Sequence, residues 1–341
     1  MAEAQNNSDA GLDRVWKEIC DLGLQSYVAD LDAKGYAIIP PEIASPNRLA
    51  ERMLDAMLDI AERRNGERPD LKRGSTHASL GVTAMSTPVK RGRPKGRIGK
   101  VTGSERDSPV GDVMHSLLLE HEVFEESLMN PVMLALSTYL CGYNAVLSTM
   151  ACWMKGPNES TLRLHTDTPV STPLTPQSLV CQSTYWLTDF NRENGGTAVV
   201  PGRHKWCRQP TGDECIVPAN VGDLGNDQAV PVEGKAGSLI IWHGNLWHGA
   251  FNRRVPGLRV SMTNYMVRPF IRTLEDFIGK IPQETLERNP TRYAIMTQQA
   301  VIPGYETEAD RAVKSAHAEK YISAYAKELG GSLGGKDSPY G

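Results

Sequence analysis

Long apolar runs are missing from this chain. No segment approaches the about 18 consecutive apolar residues that a membrane-spanning helix requires, so a helical membrane protein is not expected. The opening "MAEAQNNSDAGLDRVW" has neither the basic region nor the apolar stretch of a secretory leader, which makes a cytoplasmic location the expectation. Cysteine is sparse and unpatterned. Cys20, Cys141, Cys152, Cys181, Cys207 and Cys215 contain no Cys-x-x-Cys pair, which argues against a disulfide scaffold and for free thiols in a reducing compartment. Excess charge of one sign is absent too. With 37 Lys and Arg against 40 Asp and Glu, a general affinity for nucleic acid is disfavoured. The 341 residues suffice to bury a large core without staples.

What is present divides the chain by periodicity. Residues 12–36 and 46–64 place apolar side chains at helical spacing, as Leu49, Met53, Leu54, Met57 and Ile60 do, and "GYAIIPPEI" between them reads as a short strand ended by Pro40 and Pro41. Residues 65–112 are rich in Gly, Pro, Ser, Thr and charge, and are expected to form a long loop. Helical spacing returns over 113–140. From 145 to 268 the pattern changes to short runs separated by turn signals: "AVLSTMACWM", "LVCQSTYWLTDF", "GTAVVPG", "SLIIWHG" and "RVSMTNYMV". Evenly spaced strands of this kind predict a jelly roll or sandwich with flanking helices. Helices are expected again over 271–330, followed by a glycine-rich, disordered tail at 331–341. The whole, 1–341, reads as one domain.

The chemistry begins at "LRLHTDTPV", where His165 and Asp167 stand two apart in a strand and so project to one face. Alone, such a pair arises often by chance. A third ligand has two candidates in "GSLIIWHGNLWHGAFN", namely His243, which also reads as a plain strand end, and His248. Two histidines and one carboxylate on one face of an octahedron leave three positions open, the arrangement of non-haem Fe(II) oxygenases, where a bidentate 2-oxo acid and O2 bind. Eleven residues past His248 stands Arg259, a planar cation suited to the far carboxylate of a dicarboxylate cosubstrate.

The His165/Asp167 pair, "ENGGTAVVPGRHK" at 193–205, and "LWHGAFN" followed by Arg259 resemble the phytanoyl-CoA dioxygenase family of Fe(II)/2-oxoglutarate-dependent oxygenases over roughly residues 30–270. The resemblance implies a double-stranded β-helix, a cupin-like jelly roll, with His165, Asp167 and His248 on Fe(II) and Arg259 on the distal carboxylate of 2-oxoglutarate. It implies a hydroxylation or other oxidation of a small organic molecule by O2, coupled to decarboxylation of 2-oxoglutarate to succinate and CO2. Asn194, Gly195, Gly196, Pro201, Gly202 and His204 match the family's turn segment, and His204 is not carried over as a ligand. One departure stands out: many relatives place Ser or Thr two residues after the distal histidine, and this chain has Ala250. Ser261, on the strand face of Arg259, is placed to substitute, and Thr184 and Ser148 lie on strands expected to line the cosubstrate pocket. Asp167 is retained where related halogenases carry a small residue, so a halide-free oxidation is expected.

Rival readings are a cupin-like metal hydrolase or isomerase that does not need Arg259, and a DNA-binding protein using Arg-Gly-Arg-Pro within "KRGRPKGRIGK" at 90–100 as an AT-hook. A single hook in an acidic chain makes nucleic acid an unexpected partner. The same basic segment, with Arg97 and Lys100, suits attraction of an anionic substrate. Trp153, Trp186, Trp242 and Trp247 read as core or substrate wall, Asp189 and Glu193 as turn formers, and His77 and His115 receive no role. The oligomeric state is not legible.

Overall fold

A computed structural model of the chain describes residues 10–66, 68–73, 109–220, 222–302 and 304–329. The basic run at 90–100, His77 and the tail at 331–341 lie outside the described residues.

The helices are α1 (Ala10–Asp21), α2 (Gln25–Lys34), α3 (Pro41–Ala44), α4 (Leu49–Asn65), α5 (Glu122–Leu128), α6 (Pro131–Cys141), α7 (Gln283–Arg288), α8 (Thr291–Met296) and α9 (Glu308–Glu328). The strands are β1 (Tyr36–Ile39), β2 (Asp112–Met114), β3 (Val146–Lys155), β4 (Leu162–His165), β5 (Val180–Trp186), β6 (Thr197–Val200), β7 (Val230–Pro231), β8 (Leu239–His243), β9 (Trp247–Ala250) and β10 (Arg259–Val267). They form a six-stranded sheet of order β1-β8-β5-β10-β3-β2 and a four-stranded sheet of order β4-β9-β6-β7, with antiparallel pairing throughout. This is the jelly roll expected of the strand pattern.

Strand β10 shows how the sequence divides inside from outside. Val260, Met262 and Met266 join the core beneath the helices, where Met133 and Leu136 of α6 and Met53 and Met57 of α4 meet them. Arg259, Ser261 and Thr263, the alternate residues, face a cavity inside the barrel. Period-2 alternation here runs apolar outward and polar inward, because the helices cover the outer face. Each fully buried Leu or Met in that layer contributes about 1.5–3 kcal/mol. Truncating Leu136, which is completely buried, to alanine would cost about 2–5 kcal/mol. Between the sheets, Trp186, Ile240 and Trp242 of the larger pack with Val199 of the smaller.

Two expected helices are divided. The run over 12–36 breaks at Gly23, whose positive φ lets Leu24 N–H bond back to the Ile19 carbonyl and close α1 in a Schellman-type cap. The run over 113–140 starts as β2, since Val113 pairs with Trp153 at the sheet edge. It is interrupted again at Asn130, whose side chain caps α6 ahead of Pro131. Apolar spacing alone cannot register an edge strand recruited by a distant partner. Among the described residues no helix is long and apolar enough to cross a membrane, and all six cysteines are free thiols.

Candidate metal centre

Strands β4 and β9 run antiparallel with His165 directly opposite His248, so the two rings stand 4.3 Å apart between centroids. Close approach of the strands depends on Gly249, where a Cβ would sit 2.3 Å from the Leu162 carbonyl oxygen. Asp167 lies just past β4 and is held by its backbone. Its N–H donates to the Gly244 carbonyl at 2.9 Å, and its carbonyl accepts from the Tyr265 hydroxyl at 3.0 Å. The carboxylate reaches both rings, with Oδ1 3.9 Å from His165 Nε2 and Oδ2 3.5 Å from His248 Nε2. All three donor atoms fall within 4.8 Å of one another, and among the described residues no other group of three His, Cys, Asp or Glu does so.

The tautomers are set by the backbone. His165 Nδ1 lies 2.9 Å from the Arg163 carbonyl and His248 Nδ1 lies 3.0 Å from that of Leu246. A carbonyl only accepts, so each Nδ1 carries the proton and each Nε2 directs a lone pair at the cluster. Burial pushes the His248 pKa down to about 4 against the opposing charge of Asp167, which keeps this imidazole neutral and ready to ligate. Two imidazoles and one carboxylate on one side of an open space suit a first-row divalent cation such as Fe(II). His165 is 42% exposed at its side chain and His248 only 8%, so the open side lies at His165.

The cavity next to the cluster has a volume of about 170 Å³, and Arg259, Ser261 and Thr184 line it together with His165, Asp167 and His248. Arg259 is buried on β10, stacked 4.6 Å over the Phe190 ring, and donates one N–H to the Gly195 carbonyl. Its Nε has no partner, and among the described residues no carboxylate pairs with it. Burial, reinforced by Arg253 nearby, lowers its pKa to about 9. A guanidinium withdrawn from water without a counterion is costly, and an anionic ligand in this cavity would relieve that cost. Thr184 Oγ1 lies 3.0 Å from Thr263 Oγ1.

Ser148 departs from expectation. It is buried outside the cavity lining, and its hydroxyl accepts from the Leu274 N–H at 3.0 Å. Ser148 is five residues from Trp153, which lines the cavity, so the alternation of β3 turns it to the other face, and it is the residue skipped where the register shifts between Tyr265 and Met266.

His243 lies away from the cluster, on β8. Its Nδ1 accepts from Asn245 N–H, its Nε2 faces the Pro176 carbonyl at 3.1 Å, and its ring stands 5.4 Å from that of His204. Of the tryptophans, Trp153 and Trp242 line the cavity, while Trp186 and Trp247 are packed in the core. Asp189 accepts the Ala236 N–H and the Lys235 ammonium, as a turn former does. Sequence reasoning missed the partner role of Trp242, whose Nε1–H donates to Asp167 Oδ2 at 3.0 Å. Its only signal was a place on the inward face of β8 beside Ile240. A larger cleft of about 630 Å³, bounded by Arg52, Asp55, Asp59, Glu122, Glu126 and Arg288, is separate from the cluster.

Comparison with known proteins adds a profile match over residues 31–261 to the family described as phytanoyl-CoA dioxygenase (PhyH). The chain is 30% identical over 166 residues to dioxygenase af480 of Aspergillus fumigatus, covering 48% of this chain and 51% of that protein. It is 29% identical over 180 residues to dioxygenase aneA of Aspergillus aculeatus, covering 50% and 54%. The chain thus spans about half the length of these curated relatives. Among solved structures, HygX from Streptomyces hygroscopicus with nickel and 2-oxoglutarate bound is similar at a TM-score of 0.48 and 14% identity, over 73% of this chain and 88% of that one.

Proposed function

We propose that this chain, which belongs to the phytanoyl-CoA dioxygenase family, is an Fe(II)- and 2-oxoglutarate-dependent dioxygenase that oxidises a C–H bond of a small organic molecule. The observation that carries this reading is the buried Arg259, without a carboxylate partner among the described residues, facing the same cavity as the His165, Asp167 and His248 donor set. A hydrolytic metal site does not require such a cation, whereas a dicarboxylate cosubstrate needs one at its far end. The relatives' names as dioxygenases support the same reading.

His165 and His248 would hold Fe(II) through Nε2, and Asp167 through its carboxylate. Bound Fe(II) and 2-oxoglutarate supply the oxidising chemistry, in which O2 is consumed and 2-oxoglutarate leaves as succinate and CO2. Arg259 anchors the distal carboxylate, and Ser261 and Thr184 offer hydroxyls along the same wall. Ala250, which also lines the cavity, offers no hydroxyl there, leaving Arg259 and Ser261 with that task. Trp153 and Leu162 give the cavity an apolar side that limits water at the reacting carbon. The whole chain acts as one oxygenase domain, its substrate a small molecule, anionic if the basic run at 90–100 attracts it. A cytoplasmic location is supported by the free thiols.

The test is an anaerobic titration of the protein with Fe(II) and then 2-oxoglutarate, followed by the visible charge-transfer band of a chelated keto acid. A band abolished in His248→Ala and weakened in Arg259→Ala is the expected result. A folded, iron-loaded wild type without the band would overturn the proposal.

A further inference from the structure

Polar side chains climb one wall of the cavity from its buried end. Arg259 comes first, then Ser261, then the hydroxyl pair Thr184 and Thr263, and finally Gln182, all on the inward faces of β10 and β5. Beside these polar rungs Val110, Trp153 and Leu162 give the cavity its apolar lining.

Gln182 is the rung level with the metal ligands. In register it lies between Trp242 on β8 and Tyr265 on β10. Both of these neighbours donate to Asp167, Trp242 to the carboxylate and Tyr265 to the main-chain carbonyl. Asp167 is therefore held without help from Gln182, whose own Oε1 is buried with no hydrogen-bond partner among the described residues. A buried amide oxygen left unpaired costs stability, and an apolar side chain between Trp242 and Tyr265 would pack without that cost. Among the described residues nothing bonds the carboxamide, so it lines the cavity with a donor group free for a ligand. A carboxamide can turn about its last torsion to present either its oxygen or its NH2 group.

We propose that Gln182 donates its carboxamide N–H to the metal-chelating carboxylate of the bound 2-oxo acid, at the end opposite to Arg259. This rests on the reading of the site as one for Fe(II) and 2-oxoglutarate. A five-carbon dicarboxylate lying along the polar wall places one carboxylate at Arg259 and carries the other to the level of the triad, where Gln182 is the cavity side chain with hydrogen-bonding capacity to spare. The two ends are thereby recognised separately, by a full charge at one and by a neutral donor at the other.

The experiment compares wild type, Gln182→Leu and Gln182→Glu, each loaded anaerobically with Fe(II), and titrates them with 2-oxoglutarate and with 2-oxobutyrate, which shares the chelating end and lacks the distal carboxylate. The readouts are the dissociation constant by calorimetry and the position of the charge-transfer band, beside Fe(II) affinity and thermal midpoint. The expected result is a loss of about tenfold in affinity for both acids in Gln182→Leu, a larger loss in Gln182→Glu where two carboxylates would meet, and a moved band, with Fe(II) affinity unchanged. Unchanged affinities would overturn the assignment, as would a loss confined to 2-oxoglutarate, which would put Gln182 at the distal end. The near-isosteric Gln182→Glu keeps the comparison available if Gln182→Leu folds poorly. A wild type that binds neither acid would overturn the functional reading itself, and the proposal with it; a wild type that binds both beside unaffected variants overturns only the role of Gln182.

Discussion

Trp242 Nε1 and Asp167 Oδ2 stand 3.0 Å apart, so an indole N–H from the larger sheet fixes the carboxylate that the smaller sheet presents beside His165 and His248. Asp167 thus owes its orientation to both layers of the barrel.

From this pairing, Trp242→Phe is expected to keep the fold, since the ring stays in the inter-sheet cluster, and to weaken metal binding about 10–100-fold by freeing the Asp167 carboxylate. Calorimetric titration with Fe(II) or Ni(II) under anaerobic conditions measures it. Affinity equal to wild type would show that the backbone bonds of Asp167 suffice.

Arg259→Met should act in opposite directions on the free and the loaded protein. Removing a buried cation that no carboxylate among the described residues pairs with raises the thermal midpoint of the ligand-free chain. The same change abolishes most of the stabilisation by 2-oxoglutarate, a loss of about 2–5 kcal/mol in binding. Thermal shift with and without the cosubstrate reads both arms, and an unchanged ligand-induced shift would refute the role of Arg259.

Gly249→Ala puts a methyl group 2.3 Å from the Leu162 carbonyl oxygen, a backbone atom that cannot swing aside. Strand β9 must move off β4, costing about 1–3 kcal/mol of overpacking strain. Because His165 and His248 are opposed across that strand pair, metal affinity should fall together with the denaturation midpoint. Loss of stability with intact metal binding would show that the two strands adjust elsewhere.

Acid should destabilise the fold through His243 and His204, which are buried neutral. Burial lowers the pKa of His243 from 6.5 to about 4, and that of His204 is lowered by the same cause. The unfolded chain therefore binds more protons between pH 6.5 and about 4, so this contribution is complete above pH 6.5 and is lost as pH falls through that window. His243→Asn keeps an acceptor for the Asn245 N–H and cannot take a charge. Its thermal midpoint should vary less with pH below 6.5 than that of wild type, and parallel profiles would refute the assignment.

Most strands over 145–268, the short β1 ahead of Pro40, and His165, Asp167 and Arg259 were marked by the sequence; β7 was not, and His248 stood beside His243 until the family resemblance favoured it. Alternation is a local property of the chain, and a donor type at a given spacing is read directly. The break of α1 at Gly23 and the strand at 112–114 were not marked, because a cap and an edge pairing depend on groups that periodicity does not weigh.

Which residues share a space was decided by tertiary structure. His248 rather than His243 meets His165 because β9 pairs with β4, while β8 belongs to the other sheet and carries His243 toward His204. Ser148 stands on the face of β3 turned away from the cavity, and Trp242 and Gln182 entered the site through pairings with distant strands. A sequence specifies which faces a strand turns in and out; the hydrogen-bonded register between strands far apart in the chain specifies what those faces meet.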